Sequence, residues 1–193
     1  MQSNSVSFKA IPVNTAKIPV KNAGKWLKEE VTLVRFNPRL NSDMATLKGV
    51  QKRWHGQNMS ASIEEEARIV KSPVYGLVRQ NADFKNIDEK NVLGLFTTDK
   101  IDRTTDSVEI YRLGTNPEYA YAQKKRHRDM KHIGSTMIKK FVEFLDSKTN
   151  VQKVTIASEP ESVKFYRRMH IPERENGVNV FELNKDQFQS FAK

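Results

Sequence analysis

The stretch between Val108 and Leu145 constrains the fold most, because it joins a strand pattern to a helix pattern through a glycine. Residues 108–113 alternate apolar and charged side chains before Gly114, which is typical of a half-buried strand. After Gly134, apolar residues recur at helical spacing, at Met137, Ile138, Phe141, Val142 and Leu145. This order of elements makes the start of the helix the first place to look for a bound ligand.

The start of this helix has the features of a phosphate-binding turn. Unpaired backbone N–H groups and the positive end of the helix dipole lie at a helix N-terminus, where they can hold an anion. Gly134 has no Cβ, so phosphate oxygens could approach the main chain there, and Ser135 follows it. One glycine at a helix start also fits an ordinary N-terminus, so this feature alone does not decide the function.

The turn matches neither the GxxxxGK[ST] of a Walker A loop nor the GxGxxG of a dinucleotide-binding fingerprint. The segment Lys131–Thr136 instead resembles motif A of the GCN5-related N-acetyltransferase (GNAT) family, which is usually Arg/Gln-x-x-Gly-x-Gly/Ala. It departs from that form twice, because Lys131 replaces Arg or Gln and Thr136 replaces a small residue. The loop before it is also longer than in the compact family pattern.

Two other segments resemble the same family. The sequence NPEY at Asn116–Tyr119 is similar to the P-E-Y that commonly follows the fourth strand of the family. The segment Phe165–Ile171 is similar to its F-Y-x-x-x-G-F segment, although His170 replaces Gly and Ile171 replaces Phe. The order and spacing of the three segments support the resemblance more strongly than any one of them alone.

Sequence patterns predict elements in the order β-α-α-β-β-β-α-β-α-β, which is the order of the GNAT fold. The predicted strands are residues 31–36, 74–80, 92–98, 108–113, 151–157 and 178–183, and the predicted helices are residues 41–54, 60–71, 134–145, 158–170 and 185–191. The implied fold class is α/β (α+β), with a mixed, mostly antiparallel central sheet flanked by helices. We predict a single domain over residues 23–193. A flexible or loosely attached arm is expected at residues 1–22, which contain two prolines and no sustained periodicity.

The resemblance implies that acetyl-CoA is a co-substrate. Its pantetheine arm and thioester would meet main-chain groups of Leu113 and Thr115, at the end of the fourth predicted strand. Its pyrophosphate would lie on the turn, whose implied binding residues are Lys131, His132, Ile133, Gly134, Ser135 and Thr136.

The resemblance also supplies candidates for proton transfer. Tyr166 matches the family tyrosine that commonly hydrogen-bonds the CoA sulfur and can protonate the leaving thiolate, and a core aromatic on an amphipathic helix is the alternative. Glu109 lies where several family members place a general base, and a solvent-facing carboxylate paired with Lys or Arg is the alternative. No covalent nucleophile is indicated, so the implied mechanism is direct attack of an amine in a ternary complex.

Composition narrows the chemistry and the partners. The 193 residues include no Cys, which excludes disulfides and thiolate chemistry, and the four His have no HxxxH spacing, so we predict no metal site. No apolar stretch is long enough to span a bilayer, and we expect a cytoplasmic location. The net charge of +10 favours anionic partners. The basic loop at residues 124–131 could bind the 3′-phosphate of the cofactor, an acidic substrate or nucleic acid, or be a solvated surface.

The sequence therefore predicts an acetyl-CoA-dependent N-acetyltransferase that acts on a primary amine. The acceptor stays open between a protein Lys or N-terminus, a small amine, and an aminoacylated or other RNA. The alternative is a non-catalytic basic protein that binds nucleic acid or an acidic protein partner. Nothing in the sequence predicts the oligomeric state.

Overall fold

The computed structural model describes residues 10–54, 58–79, 84, 86–120 and 129–193. Its strands form one seven-stranded sheet in chain order: β1 Ile11–Asn22, β2 Lys25–Phe36, β3 Val74–Arg79, β4 Val92–Thr98, β5 Ser107–Thr115, β6 Lys153–Ala157 and β7 Val180–Asn184. Neighbouring strands are antiparallel except β5 and β6, which are parallel. The prediction of a mixed, mostly antiparallel sheet is confirmed.

Six helices accompany these strands within the described residues. They are α1 Asn41–Arg53, α2 Asn58–Ile69, α3 Pro117–Ala120, α4 Ile133–Lys148, α5 Val163–Arg168 and α6 Lys185–Ala192. Short 3₁₀ turns lie at Glu89–Asn91 and Pro160–Ser162. In the part of the chain that the structure describes, no helix combines the length and the apolar character needed to cross a membrane.

The two faces of the sheet carry separate apolar cores. Helix α4 packs on one face, where Phe141 contacts the rings of Tyr75 and Phe96 at centroid distances of 4.8 and 5.0 Å. Helices α1 and α2 cover the other face, where buried residues such as Leu47 and Ile63 pack with the apolar side chains of the strands. Residues on β5 therefore face either the α4 core or α2, and this division positions the candidate site.

The expectation of a loose arm at residues 1–22 is wrong for Ile11–Asn22. These residues form β1, which pairs with β2 from Ile11↔Arg35 to Asn22↔Lys25. Ile18 is fully buried in the α4 core. Prolines are tolerated in edge strands, where the missing N–H would face solvent, so two prolines mark an edge here and not an arm. Strand β2 correspondingly begins at Lys25, well before the start predicted at residue 31.

The boundaries of several elements also differ from the prediction. Helix α2 begins at Asn58, earlier than predicted, and α1 ends at Arg53, one residue before its predicted end. The helix predicted from Ser158 is a 3₁₀ turn at Pro160–Ser162 followed by α5. Strand β7 begins at Val180 because Asn179 has a φ of 58°, a left-handed conformation that interrupts an extended chain.

Candidate functional site at the divergence of two strands

The parallel strands β5 and β6 separate partway along the sheet. Their pairing runs from Ser107↔Lys153 to Ile110↔Ile156, after which β6 ends at Ala157 while β5 continues to Thr115. Within the described residues, no strand pairs with this second half of β5 on its β6 side. Its main-chain groups can therefore hydrogen-bond to a ligand that enters the gap.

A bulge marks the point where the two strands diverge. On its β4 side, β5 pairs Ile110 with Thr98 and Arg112 with Thr97, so Tyr111 is an extra residue. A bulge bends its strand and changes the direction of the side chains that follow. Tyr111 and Arg112 consequently both lie on the α2 face, although they are consecutive residues.

Helix α4 begins beside the open half of β5. If Gly134 carried a Cβ, that atom would lie 3.1 Å from Cζ of Phe165 and 3.7 Å from Cγ2 of Thr115. The first turn of α4, the end of β5 and helix α5 therefore meet at one place. The crowding also explains the glycine, because a side chain here would push against the ring of Phe165.

The turn before α4 leaves main-chain donors available to a ligand. His132, the N-cap residue, has a φ of 65° and makes no capping hydrogen bond with its side chain. Its carbonyl oxygen accepts from Thr136 N–H at 2.8 Å and from Ser135 Oγ at 3.1 Å. The N–H groups of Ile133, Gly134 and Ser135 have no acceptor within the helix, because no carbonyl precedes them by one turn. This arrangement suits an anion.

The other residues predicted to bind the cofactor lie around the same turn. Leu113 and Thr115 are on the open half of β5, and the side chain of Leu113 packs against the α4 core. Ile133 is buried, so only its main chain is available to a ligand. Lys131 is exposed, and its ammonium lies 4.1 Å from the centroid of the Trp26 ring. The binding roles of these residues stay predictions.

Tyr166 lies on α5 against the α4 core, and its side chain is 5% exposed. Its ring packs on Phe181 and Phe165 at centroid distances of 5.2 and 5.0 Å. Burial raises the pKa of the Tyr166 phenol to about 12, so the hydroxyl stays protonated at neutral pH. Phe165, the residue before Tyr166 on α5, lies against Gly134 at the start of α4. Tyr166 is therefore next in sequence to the residue at which the turn, β5 and α5 meet.

Glu109 lies on the other face of the sheet, among acidic and phenolic groups. Its N–H donates to Oδ2 of Asp99 at 2.9 Å, and the Tyr111 hydroxyl donates to Oδ1 of the same carboxylate. Burial, and then the negative charge of Asp99, raises the pKa of Glu109 above its ordinary value. The hydrogen bond to Asp99 raises the pKa of Tyr111 most strongly, followed by burial. These interactions of Glu109 differ from the surface ion pair that was the alternative.

Helix α2 adds a further carboxylate to this face. Glu66 accepts from Thr97 Oγ1 at 2.6 Å and from Arg112 Nε at 3.1 Å. These bonds fix the side chain of Arg112 beside the bulge. The α2 face of β5 thus holds three carboxylates, those of Glu66 on α2, Asp99 just after β4 and Glu109 on β5, whereas the α4 face holds the glycine turn and the buried phenol.

Sequence reasoning did not find Asp99, Tyr111, Glu66 or Arg112. The alternation of apolar and polar residues fails at Tyr111-Arg112, and that failure is the signal of a bulge that the sequence contained. The contribution of Glu66 depends on how α2 packs across β4 and β5, which no local pattern specifies. Trp26 on β2 is 44% exposed, and its ring faces the ammonium of Lys131.

The sequence also predicted a basic loop at residues 124–131 and the absence of a metal site. The basic run Lys124–Arg128 lies outside the described residues, and only its neighbours from 129 onward are placed. Among the residues that the structure does place, no three His, Asp or Glu side chains are grouped as metal ligands would be.

Comparison with known proteins identifies the fold. No family model matches the chain, and no curated protein matches it either. A crystal structure of AtaTR bound with acetyl-CoA is 16% identical, covers 84% of this chain and 98% of that chain, and superposes with a TM-score of 0.56. AtaT complexed with acetyl-methionyl-tRNAfMet is 12% identical, with 84% and 99% covered and a TM-score of 0.56.

Two further structures that match the chain are those of other acetyltransferases. A protein from Desulfovibrio desulfuricans described as a GNAT-family acetyltransferase is 9% identical, covers 80% of this chain and 99% of that chain, and has a TM-score of 0.52. A point mutant of the spermidine N-acetyltransferase SpeG from Vibrio cholerae is 12% identical, with 82% and 96% covered and a TM-score of 0.51. The chain therefore has the fold of the GNAT acetyltransferases, as its sequence predicted.

Proposed function

We propose that the protein is an acetyl-CoA-dependent N-acetyltransferase that transfers an acetyl group to a primary amine by direct attack in a ternary complex. One observation carries the proposal: β5 and β6 diverge beside the start of α4, so a strand edge and a helix N-terminus open onto the same gap. A ligand with an extended amide-containing arm and a pyrophosphate needs both features together. The fold shared with acetyltransferases supports the same ligand.

The residues around the gap fit acetyl-CoA. The main chain of His132–Thr136 would hold the pyrophosphate, and the main chain of Leu113 and Thr115 would hold the pantetheine arm. Gly134 lets the first turn of α4 pack closely against Phe165 and Thr115, which brings the turn next to the end of β5. When bound, acetyl-CoA supplies an activated acetyl thioester.

Glu109 would accept the proton that the attacking amine loses. An amine attacks only when it is neutral, and most primary amines are protonated near pH 7. Partial burial and the neighbouring Asp99 raise the pKa of Glu109 toward neutrality, which makes its carboxylate a better proton acceptor than an ordinary surface glutamate. Asp99 is held beside it by the two hydrogen bonds that its carboxylate accepts.

Tyr166 would donate a hydrogen bond to the sulfur as the thioester breaks. Its pKa of about 12 lies above the value of about 8.5 for an ordinary thiol, so full transfer of the proton to a thiolate is uphill. A hydrogen bond from the phenol stabilises the developing negative charge without that transfer. Burial of the Tyr166 side chain strengthens this interaction, because the local dielectric is low.

The two faces of the sheet support a ternary complex. Tyr166 belongs to the α4 face and Glu109 to the α2 face, on either side of the gap. The cofactor and the amine can therefore enter from opposite faces and be present together. Direct attack needs no covalent enzyme intermediate, and the cysteine-free chain offers no thiol for one.

For the acceptor, we propose a chemical class and not a single compound. The carboxylates of Glu66, Asp99 and Glu109 on the α2 face favour a cationic amine, whether of a small molecule, a protein Lys or an N-terminus. The match to SpeG, a spermidine N-acetyltransferase, agrees with a small amine. The match to AtaT with acetyl-methionyl-tRNAfMet and the net charge of +10 favour an aminoacylated RNA as the second candidate.

Calorimetric titration with acetyl-CoA, followed by turnover with a panel of amines and aminoacylated tRNA, tests the proposal. We expect one acetyl-CoA site and acetylation of at least one acceptor. Tyr166→Phe should lower kcat by about 10- to 100-fold and leave the acetyl-CoA affinity nearly unchanged. Tyr75→Phe is the matched control, because Tyr75 is another buried phenol with a pKa raised to about 12 but lies on β3.

The alternative, a non-catalytic basic protein, gives different results. It would bind RNA or an acidic protein in a strongly salt-dependent way and would show no acetyl-CoA site. Absence of acetyl-CoA binding would overturn the enzyme proposal. A Tyr166→Phe variant as fast as the native protein would remove only the assigned role of that phenol.

A further inference from the structure

The β1–β2 hairpin holds the chain just before the glycine turn. Two main-chain hydrogen bonds join the hairpin to this segment. Lys21 N–H donates to the carbonyl oxygen of Asp129 at 2.6 Å, and Lys131 N–H donates to the carbonyl oxygen of Pro19 at 3.1 Å. Val20 and Met130 form the bridge between these two bonds. Residues 129–131 therefore pair with the outer edge of β1 through a single antiparallel bridge.

Met130 fixes this segment from the inside. Its side chain is 2% exposed and belongs to the α4 core. Its sulfur also lies 3.8 Å from Nη2 of Arg79, whose guanidinium forms an ion pair with Glu29 on β2. The segment before the turn is thus held both by main-chain bonds at the edge of the sheet and by a buried side chain.

The turn itself is consequently fixed on both sides. Lys131 is bonded to β1, and His132, directly after it, accepts the first hydrogen bonds of α4. His132 has a φ of 65°, a conformation that costs free energy for a residue with a side chain and persists only where the neighbouring structure imposes it. The hairpin on one side and α4 on the other impose it here.

Trp26 packs against the side chain of Lys131, the lysine of this turn. It lies on β2 opposite Lys21, and the ammonium of Lys131 lies 4.1 Å from its ring centroid. An indole face attracts a cation, so Trp26 restricts the rotamers of the exposed Lys131 side chain. A lysine that is already ordered loses less conformational entropy when it binds a phosphate group.

We propose that Trp26 is a positioning residue for cofactor binding, which holds the Lys131 ammonium beside the start of α4 for the pyrophosphate of acetyl-CoA. This inference rests on the proposed function, since it assigns a role within the same cofactor site. It gives the N-terminal hairpin a part in binding, although the hairpin contributes no residue to the glycine turn. Trp26 itself need not touch the cofactor.

Calorimetric titration of the full chain with acetyl-CoA tests the role of Trp26. Trp26→Leu should weaken binding by about two- to five-fold, and Trp26→Phe should restore most of the affinity because a phenyl face also attracts the ammonium. In a Lys131→Met background, Trp26→Leu should have no further effect. The turnover number with saturating acetyl-CoA should stay unchanged, so the effect appears in KM.

Two controls separate this role from general damage. Leu27→Ala changes the next residue of the hairpin, which is 54% exposed, and should leave binding unchanged. The loss caused by Trp26→Leu should also persist with 3′-dephospho-CoA, because the pyrophosphate is retained there. A loss that disappears with that ligand would overturn the assignment to the pyrophosphate.

The outcomes distinguish this inference from the proposed function. If the native protein binds acetyl-CoA and Trp26→Leu binds it equally well, the inference is wrong and the function stands. Additive effects of Trp26→Leu and Lys131→Met would also overturn the inference, because they would show that the two residues act separately. If the native protein binds no acetyl-CoA, both fail.

Discussion

At the scale of single residues, the proposed proton transfer to Glu109 depends on the groups that surround this carboxylate on the α2 face of the sheet. Glu109 and Asp99 are linked through a main-chain hydrogen bond, and the charge of Asp99 helps to raise the pKa of Glu109. A base works only when it is deprotonated. Activity should therefore rise with pH through the raised pKa of Glu109, and removing the charge of Asp99 should lower that pKa.

We predict that Asp99→Asn shifts the acidic limb of kcat/KM against pH to lower pH, while Glu109→Gln removes that limb and lowers kcat/KM by about 10²-fold or more. Tyr111→Phe removes a hydrogen bond to Asp99 without changing a charge. The acidic limb of the pH profile of this variant should therefore stay close to that of the native protein. Among the described residues, Glu66 and Arg112 also carry charge on this face, as do Lys153 and Glu182 on β6 and β7.

Glu161→Gln is the control for this series, because Glu161 is exposed on the 3₁₀ turn before α5. Its profile should match that of the native protein. A limb that keeps its position in Asp99→Asn would show that Asp99 does not influence the base. A limb that survives in Glu109→Gln would assign the base to another group.

The residues of the candidate site, whose roles stay predictions, could be named from the sequence only where the signal was local or belonged to the family pattern. Gly134 and its helix follow from spacing, and Tyr166 and Glu109 follow from the resemblance to a family. Asp99 could not be predicted, because its partners Glu109 and Tyr111 are ten and twelve residues away and meet it only through the bulged register of β4 and β5. Side-chain pairs set by a register shift leave no pattern in the sequence.

At the scale of elements, β1 is the clearest departure from expectation. Its sequence alternates weakly and contains two prolines, yet it pairs along its whole length with β2. Strands β3 and β4 were predictable because β-branched and apolar residues are concentrated in the centre of the sheet, where both faces are buried. Strand β1 lies at an edge and has few such residues, most of them partly exposed, so its pattern resembles that of a loop.

We predict that Ile18→Ala lowers the free energy of unfolding by about 2–5 kcal/mol, as expected for a fully buried aliphatic side chain. Lys17→Ala, one residue earlier on the same strand, removes a side chain that is 61% exposed and should change stability by less than about 0.5 kcal/mol. Urea unfolding followed by circular dichroism measures both. Equal effects of the two variants, or none, would mean that β1 is not part of the cooperative fold.

At the scale of the whole molecule, the proposed cofactor site joins parts of the chain that are distant in sequence. It takes main-chain groups from β5 and from the start of α4, and it borders α5. A ligand bound there contacts elements that unfolding would separate. Binding should therefore stabilise the entire domain, and not only one loop.

We predict that acetyl-CoA at about 100 times its dissociation constant stabilises the native state by about 2.7 kcal/mol. For a chain of this length, that corresponds to a rise in Tm of roughly 5–10 °C. Differential scanning fluorimetry with increasing acetyl-CoA measures the rise. A Gly134→Asp variant places a Cβ against Phe165 and a negative charge at the turn, so its Tm should respond much less to the ligand.

The two edges of the sheet have a consequence for how the protein behaves at high concentration. Pro12 and Pro19 remove two of the N–H donors that a further strand would need beside β1, and residues 129–131 occupy part of the same edge. At the opposite end, β7 is bordered by the segment 172–174, which bonds to Val180 and Glu182. Neither edge offers a long run of free donors and acceptors to the strand of a second copy, so self-association by continued strand pairing is disfavoured even though the sheet is open.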